Sequence, residues 1–287
     1  MSDVNDRPDS IARAAVGDER SVVRAGRRVG YWVRGDGPAI VLLASLGREA
    51  SDFNELTAAL SGHHRTIAID PPGVGLSDLP TGPVSLFDLA DDVRAVIDAE
   101  AAAPVVLIGH AFGNRLARAT ATRHTEAASR LVLIAAGGKR PIPGPAHEAL
   151  LACFNPDQPL DEHRAHVAYA FFAEGNRVPH HWRTGWHPAT AMAQGAAVRA
   201  TPVDTWWAGG GLPMLVLQGE SDRIAPQADS ADVLAAEFPD RVQVALVERA
   251  GHALLPERPR TIVLAVLNSF GGAQQITESV VRPRRAG

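Results

Sequence analysis

Few of the 287 residues are spaced so that they could do covalent chemistry. The segment that carries most is Gly109-His110-Ala111-Phe112-Gly113. It follows an apolar run at 105–108 and leads into a helical stretch from Arg115 to Arg123. A strand that turns sharply into a helix strains the turn residue and exposes its side chain. A Cβ two positions to either side would collide with the neighbouring strand or helix, a need that the two glycines meet. The same turn aims a main-chain N–H and a helix N-terminus at any oxygen lying over it. A serine at the centre would be placed to attack a carbonyl; the methyl group of Ala111 cannot. Taken alone, the segment is read equally well as a generic strand-turn-helix with convenient glycines.

The other reactive side chains are less well placed. Cys153 lies in the apolar run Leu151-Ala152-Cys153-Phe154 and reads as a small buried hydrophobe rather than a nucleophile. With one cysteine no intrachain disulfide can form, which suits a reducing compartment. His63-His64 and His180-His181 are adjacent pairs that cannot easily face one ion, and neither a Cys cluster nor H-E-x-x-H occurs, so no metal is expected. No glycine-rich phosphate loop is present, and no organic cofactor is expected.

Alternating elements must position the elbow. Residues 21–24 and 29–33 read as a hairpin. The runs 39–44, 65–70, 105–108, 131–135, 214–218 and 242–247 read as strands, several of them apolar enough to be buried and parallel. Helical spacing occupies 53–60, 86–99, 115–123 and 258–270, with Ser85 and Asp88 forming a weak capping pattern. Strand and helix in alternation predict a parallel α/β sheet with right-handed crossovers. The pattern breaks between 139 and 207, a stretch rich in Pro, Gly, His and Trp.

Four segments together resemble the α/β-hydrolase family, over roughly residues 21 to 271. The elbow matches the family's Gly-x-Ser-x-Gly, with alanine at its centre. Asp70-Pro71-Pro72-Gly73-Val74-Gly75-Leu76-Ser77 is similar to the family's D-x-x-G-x-G-x-S turn, with a structural role. Gly219-Glu220-Ser221-Asp222-Arg223-Ile224-Ala225-Pro226 is similar to the acid loop. Arg249-Ala250-Gly251-His252-Ala253-Leu254-Leu255-Pro256-Glu257-Arg258-Pro259 is similar to the histidine loop. The resemblance implies a mostly parallel eight-stranded α/β-hydrolase sheet with flanking helices and an inserted helical cap. It divides the chain into an N-terminal arm (1–20), a core (21–138 and 208–271), a cap (139–207) and a C-terminal tail (272–287).

By the same resemblance the catalytic positions are Ala111, Asp222 and His252, with Glu220 as the alternative acid. The oxyanion hole is formed by the N–H groups of Leu46 and Phe112, although Ala44-Ser45-Leu46-Gly47-Arg48 stands where the family usually has His-Gly-x. Ser45 either faces the pocket or supports its loop by hydrogen bonding. Substrate contacts are expected from Ser45, His110, Phe171, Trp182, Trp186, Trp206 and Trp207, with two or three of the cap aromatics lining the pocket and the rest gluing the cap down. His181, Arg183 and His187 are read as solvated surface.

The alanine has three readings. It replaces a natural serine and inactivates a serine hydrolase. Or it is native, and a His252–Asp222 dyad activates water or an acidic carbon without a covalent intermediate, as a hydrolase, lyase, decarboxylase or cofactor-free oxygenase. Or the chain is a non-catalytic binding module, a reading weakened by the retention of the turn, the acid loop and the histidine loop together. The reading carried forward is hydrolysis of a small to medium, largely apolar ester or lactone.

Net charge is −4, with 46 % hydrophobic and 21 % charged residues. This weakly acidic balance carries no footprint for nucleic acid and does not favour an anionic membrane. No apolar run approaches the ~18 residues of a membrane helix, and the N-terminus lacks the apolar core of a signal peptide. A small molecule is therefore the expected partner, in the cytoplasm, with a homodimer left open.

Overall fold

The structure, a computed structural model, describes residues 15–270 and 281–283. The elements run β1 (Asp18–Arg24), β2 (Arg27–Arg34), β3 (Ala39–Leu43), α1 (Asn54–Leu60), β4 (Arg65–Ile69), α2 (Leu86–Ala99), β5 (Val105–His110), α3 (Phe112–Arg123) and β6 (Ala128–Ile134). After an excursion through α4 (Gly144–Ala152), α5 (Leu160–Phe171) and α6 (Pro188–Arg199), the chain returns through β7 (Met214–Gly219), α7 (Ala231–Glu237), β8 (Val242–Val247), α8 (Pro259–Ser269) and β9 (Val281–Pro283).

The sheet order is β1-β2-β4-β3-β5-β6-β7-β8-β9. From β4 to β8 every neighbouring pair is parallel; β1, β2 and β9 add antiparallel edges. The expected eight strands are therefore present. The ninth, β9, comes from the segment expected to be a solvated tail. The outer edge of β8 offers a row of unpaired main-chain groups, and three residues of that segment occupy it. The expected arm at 1–20 falls mostly outside the described residues, although β1 begins at Asp18. Helix α7 was not read from the sequence, and Ser85 and Asp88 form a complete capping box at the start of α2.

β3 and β5 lie at the point where the strand order reverses: the chain goes from β3 to β4 on one side, then crosses to β5 on the other. In open α/β sheets such a switch leaves a crevice at the carboxyl ends of the two strands. The loops after β3 and β5 meet there.

Each face of the sheet has its own apolar layer. One packs Leu89, Val93, Ala117 and Leu234 from α2, α3 and α7 under the strands. The other packs Leu56, Leu60, Ile262 and Val266 from α1 and α8. A third cluster joins α4 and α5 (Leu150, Val167, Phe171, Phe172) with Trp182, Ile224 and Ala253. Ile224 and Ala253 belong to the acid and histidine loops, so the inserted helices sit directly on them. Among the described residues no helix is long and apolar enough to cross a membrane.

Candidate active site

The elbow forms as the glycine spacing predicts. A Cβ on Gly109 would stand 2.2 Å from the carbonyl oxygen of Gly113, and one on Gly113 would stand 2.0 Å from that of Leu43 in β3. Only hydrogen fits at either place, so α3 approaches the sheet closely enough to force the turn. Ala111 takes up the bend with φ 49° and ψ −106°, a conformation costly for any residue with a Cβ. Gly113→Ala is expected to cost about 4 kcal/mol or more, since main-chain atoms rather than a mobile side chain must move. Chemical denaturation measures it.

Asp222 follows β7 in the loop predicted. Its Oδ1 accepts from the N–H groups of Ile224 (2.9 Å) and Ala225 (2.8 Å), and its Oδ2 from Gln218 Nε2 (2.8 Å). His252 Nδ1 lies 3.0 and 2.8 Å from the two carboxylate oxygens. Both side chains are buried. Because a carboxylate only accepts, the Nδ1 proton is on the histidine and faces the acid. Nε2 is left with no protein partner among the described residues. This is the arrangement of a general base whose tautomer is fixed by its acid. Glu220, the alternative acid, is exposed and reaches only the Arg249 N–H, at 3.4 Å.

The histidine loop is held from below and above. Gly251 and Leu254 donate their N–H groups to Glu257 Oε2 (2.8 and 3.2 Å). Glu257 Oε1 accepts from the Ala173 N–H and Asn176 Nδ2. Ala253 donates to the carbonyl of Phe171 (2.8 Å), and the Phe171 ring lies 5.6 Å from the His252 imidazole. His110, the residue before the elbow centre, donates from Nε2 to the main-chain oxygen of His252 (2.8 Å), with the two rings 5.8 Å apart. The elbow and the histidine loop are thereby tied together, and His110 serves that link rather than substrate binding.

Burial, then repulsion from His252, lowers His110 from 6.5 to about 4. Its neutral form is the folded form. Below pH 6.5 the unfolded chain binds a proton that the folded chain refuses. Stability is thus complete above pH 6.5 and is lost as pH falls towards 4, by up to about 3 kcal/mol. A His110→Gln variant, which keeps a donor, is expected to show a flatter stability curve over pH 4–6.5; parallel curves would remove His110 from this role.

Three consecutive residues of the loop after β3, Gly47, Arg48 and Glu49, are bound to the inserted segment. Gly47 donates to Gln194 Oε1 on α6 (2.7 Å) and accepts from the His187 N–H (2.9 Å). Arg48, fully buried, pairs with Asp52 at 2.9 and 2.6 Å and donates to the carbonyls of Thr184 and Gly185. Its guanidinium lies against both Trp182 and Trp186, 4.6 and 4.7 Å from their centroids. Glu49 Oε2 lies 3.0 Å from His187 Nε2, so His187 is not solvated surface. The N–H groups of Leu46 and Phe112, the oxyanion donors expected, have no acceptor among the described residues; Phe112 is the first residue of α3, where no intrahelical carbonyl is available.

Ser45 is buried, yet its hydroxyl makes no hydrogen bond among the described residues, so it does not support the loop as expected. Phe171 and Trp186 belong to the segment inserted between β6 and β7, with Phe171 against His252 and Trp186 5.2 Å from Phe171. Trp182 is fully buried, with the Arg48 guanidinium over its ring and Phe172 meeting it edge to face. Trp206 and Trp207 do not join this group. They pack into the core edge to face with each other, both against the Arg118 guanidinium, at 4.8 and 4.5 Å, where a cation gains from the ring faces. Cys153 is buried and its thiol is pushed up to about 12 by desolvation, as befits a packing residue. The Asp70 turn is structural: its carboxylate accepts from Trp32 Nε1 and the Ala50 N–H, and Ser77 Oγ bridges Asp70 O and the Gly30 N–H.

A cavity beside the elbow is lined by Leu43, Ala44, Val93, Phe112 and Leu116, with polar groups from Gln194, Arg27, Arg28, Asp78 and Asp92. No group of three metal-ligating side chains occurs among the described residues.

Residues 38–259 match the profile of the alpha/beta hydrolase fold family. Among curated proteins, the 2-(acetamidomethylene)succinate hydrolase of Mesorhizobium japonicum is 31 % identical over 101 residues, 35 % of this chain and 36 % of that protein. The chain spans about a third of the length of the curated relatives it matches. Among solved structures, a thermophilic esterase from Thermogutta terrifontis superimposes with a TM-score of 0.75 at 18 % identity, covering 89 % of this chain and 98 % of that one. An E-2-(acetamidomethylene)succinate hydrolase gives 0.73 at 24 %, covering 88 % and 99 %. At these identities the two structures share the fold.

Proposed function

Because the chain belongs to the α/β-hydrolase fold family, whose profile covers residues 38–259, we propose that it hydrolyses a small to medium, largely apolar carboxylic ester or lactone. The observation that carries this reading is the His252–Asp222 pair. Its acid is saturated with donors, its tautomer is fixed, and its Nε2 has no protein partner. Two of the relatives, a 2-(acetamidomethylene)succinate hydrolase and a putative carbamate hydrolase, carry a hydrolase activity in their names, each on another kind of compound.

Residue 111 decides the route. With serine there, His252 takes the hydroxyl proton and an acyl-enzyme forms. With alanine no acyl-enzyme can form, and His252 takes a proton from water, which adds to the carbonyl directly. In both routes the oxygen that gains charge faces the Leu46 and Phe112 amides. Phe171 and Trp186 supply an apolar wall.

The test is a panel of short chromogenic esters and lactones assayed with the chain as it stands and with His252→Ala. The expected result is slow turnover that His252→Ala reduces by about 10²–10⁴-fold, the size of a general-base contribution. Turnover that survives His252→Ala would assign the activity elsewhere.

A further inference from the structure

One and two turns into α3 stand two arginines with no acidic partner. Arg118 is fully buried. Its Nε donates to Asn114 O (3.2 Å), and its Nη2 to Asn114 Oδ1 (2.5 Å) and Gly137 O (2.6 Å). Its Nη1 is buried without an acceptor, as is the indole N–H of Trp206, the ring stacked on it. Arg115, partly buried, has neither hydrogen bond nor ion pair among the described residues.

The two heads converge on one corner. The point where a Cβ on Gly138 would stand is 3.6 Å from Arg115 Nε, 3.6 Å from Arg118 Nη2 and 2.8 Å from Trp206 Cη2. Gly138 has φ +130°, and a Cβ there would stand against the Trp206 ring, so glycine is required at that corner. Lys139, the residue after Gly138, pairs with Glu237. Burial lowers both guanidinium groups, and Arg115 adds repulsion at Arg118. Stacking on Trp206 and Trp207 offsets part of the cost for Arg118; nothing offsets it for Arg115. Arg118 Nη1, the Trp206 indole N–H and the Arg115 guanidinium have no acceptor among the described residues, and two positive charges have no acid, a set complementary to a compact oxyanion.

We propose that Arg115, Arg118 and the Gly138 corner bind a small carboxylate. The rise of α3 places the Arg115 Cα about 6 Å along the axis from Ala111, and side chains on a helix lean towards its N-terminus. The carboxylate therefore belongs either to a free anion or to the far end of a substrate whose ester lies at residue 111. Only the second source rests on the function proposed above.

Binding is tested on the full chain with sodium succinate, acetate and inorganic phosphate at constant ionic strength, read by thermal unfolding and tryptophan fluorescence. Succinate at about ten times its Kd is expected to raise Tm by roughly 3–5 °C. Arg115→Met is expected to lose that rise while its own Tm in anion-free buffer is unchanged or higher, because it removes an unpaired charge. No saturable response in the parent chain, an equal response in Arg115→Met, or a fall of several degrees in that variant's own Tm would overturn the site. The source is separated by kinetics on an Ala111→Ser background. A KM for monomethyl succinate raised tenfold or more by Arg115→Met, with methyl butyrate unaffected, assigns the carboxylate to the substrate. Both esters unaffected, with succinate binding lost, assigns it to a free anion.

Discussion

Ala111→Ser is expected to give a chain that is labelled stoichiometrically by a fluorophosphonate, whereas the chain with alanine takes up none at this site. The change needs no rearrangement. The backbone at 111 already holds φ 49° and ψ −106°, so a hydroxyl enters a turn whose strain is present with or without it. The amide of Phe112 is unpartnered, and His252 is already fixed by Asp222 in the tautomer that accepts a proton at Nε2. Adding Asp222→Asn is expected to slow labelling by about 10⁴-fold, because an amide in place of the carboxylate no longer holds that tautomer. Mass spectrometry of the intact chain reads both results. Labelling that is equally fast with Asp222→Asn would separate the acid from the reaction.

The second large effect is on stability and belongs to Arg48. The ion pair with Asp52 is almost completely buried, with side-chain exposures of 1 % and 1 %. Arg48→Met keeps the apolar stem against Trp182 and Trp186 but leaves Asp52 buried without its cation. It also releases the carbonyls of Thr184 and Gly185. The expected cost is about 3–5 kcal/mol. At roughly 2–4 °C per kcal/mol for a chain of this class, Tm should fall by about 6–20 °C. Arg48→Met with Asp52→Leu is expected to recover most of the loss, since the penalty lies in the orphaned carboxylate rather than in the absent arginine. Because Arg48 joins the loop after β3 to the cap, the single variant should also make the 180–187 segment accessible to proteases while the sheet persists.

The elements that carry the site were largely legible from the sequence because their signals are local. A buried parallel strand is a continuous apolar run, and 39–44, 105–108 and 214–218 read as such, within a residue or two of β3, β5 and β7. Gly109 and Gly113 announce a close approach of strand and helix, and the contacts with Leu43 and Gly113 that a Cβ would make are its physical cause. Asp222 and His252 were found because short loops with fixed glycine and proline positions hold them. The residues that were missed act across long separations. Arg48 and Glu257 look in sequence like solvated charges, yet each is spent on main-chain groups of the cap, 136 and 84 positions away at Thr184 and Ala173. Gln218 gives no local sign that its amide will reach Asp222, although its place at the end of β7, before the acid loop, is the one hint available. Trp206 and Trp207 were misplaced for a related reason. Aromatic clustering in sequence does not say which side of a sheet the rings will reach, and Arg118, buried on α3, is what draws them into the core.

The central claim is that His252, held by Asp222, serves whatever reacts at residue 111 beneath the amides of Leu46 and Phe112. The most direct measurement is a crystal structure of the Ala111→Ser variant after reaction with a phosphonate ester. The account predicts a bond from phosphorus to Oγ of residue 111, the phosphonyl oxygen within about 3 Å of both amide nitrogens, and His252 Nε2 facing the adduct. An unmodified residue 111, or an adduct carried by Ser45 instead, would contradict it.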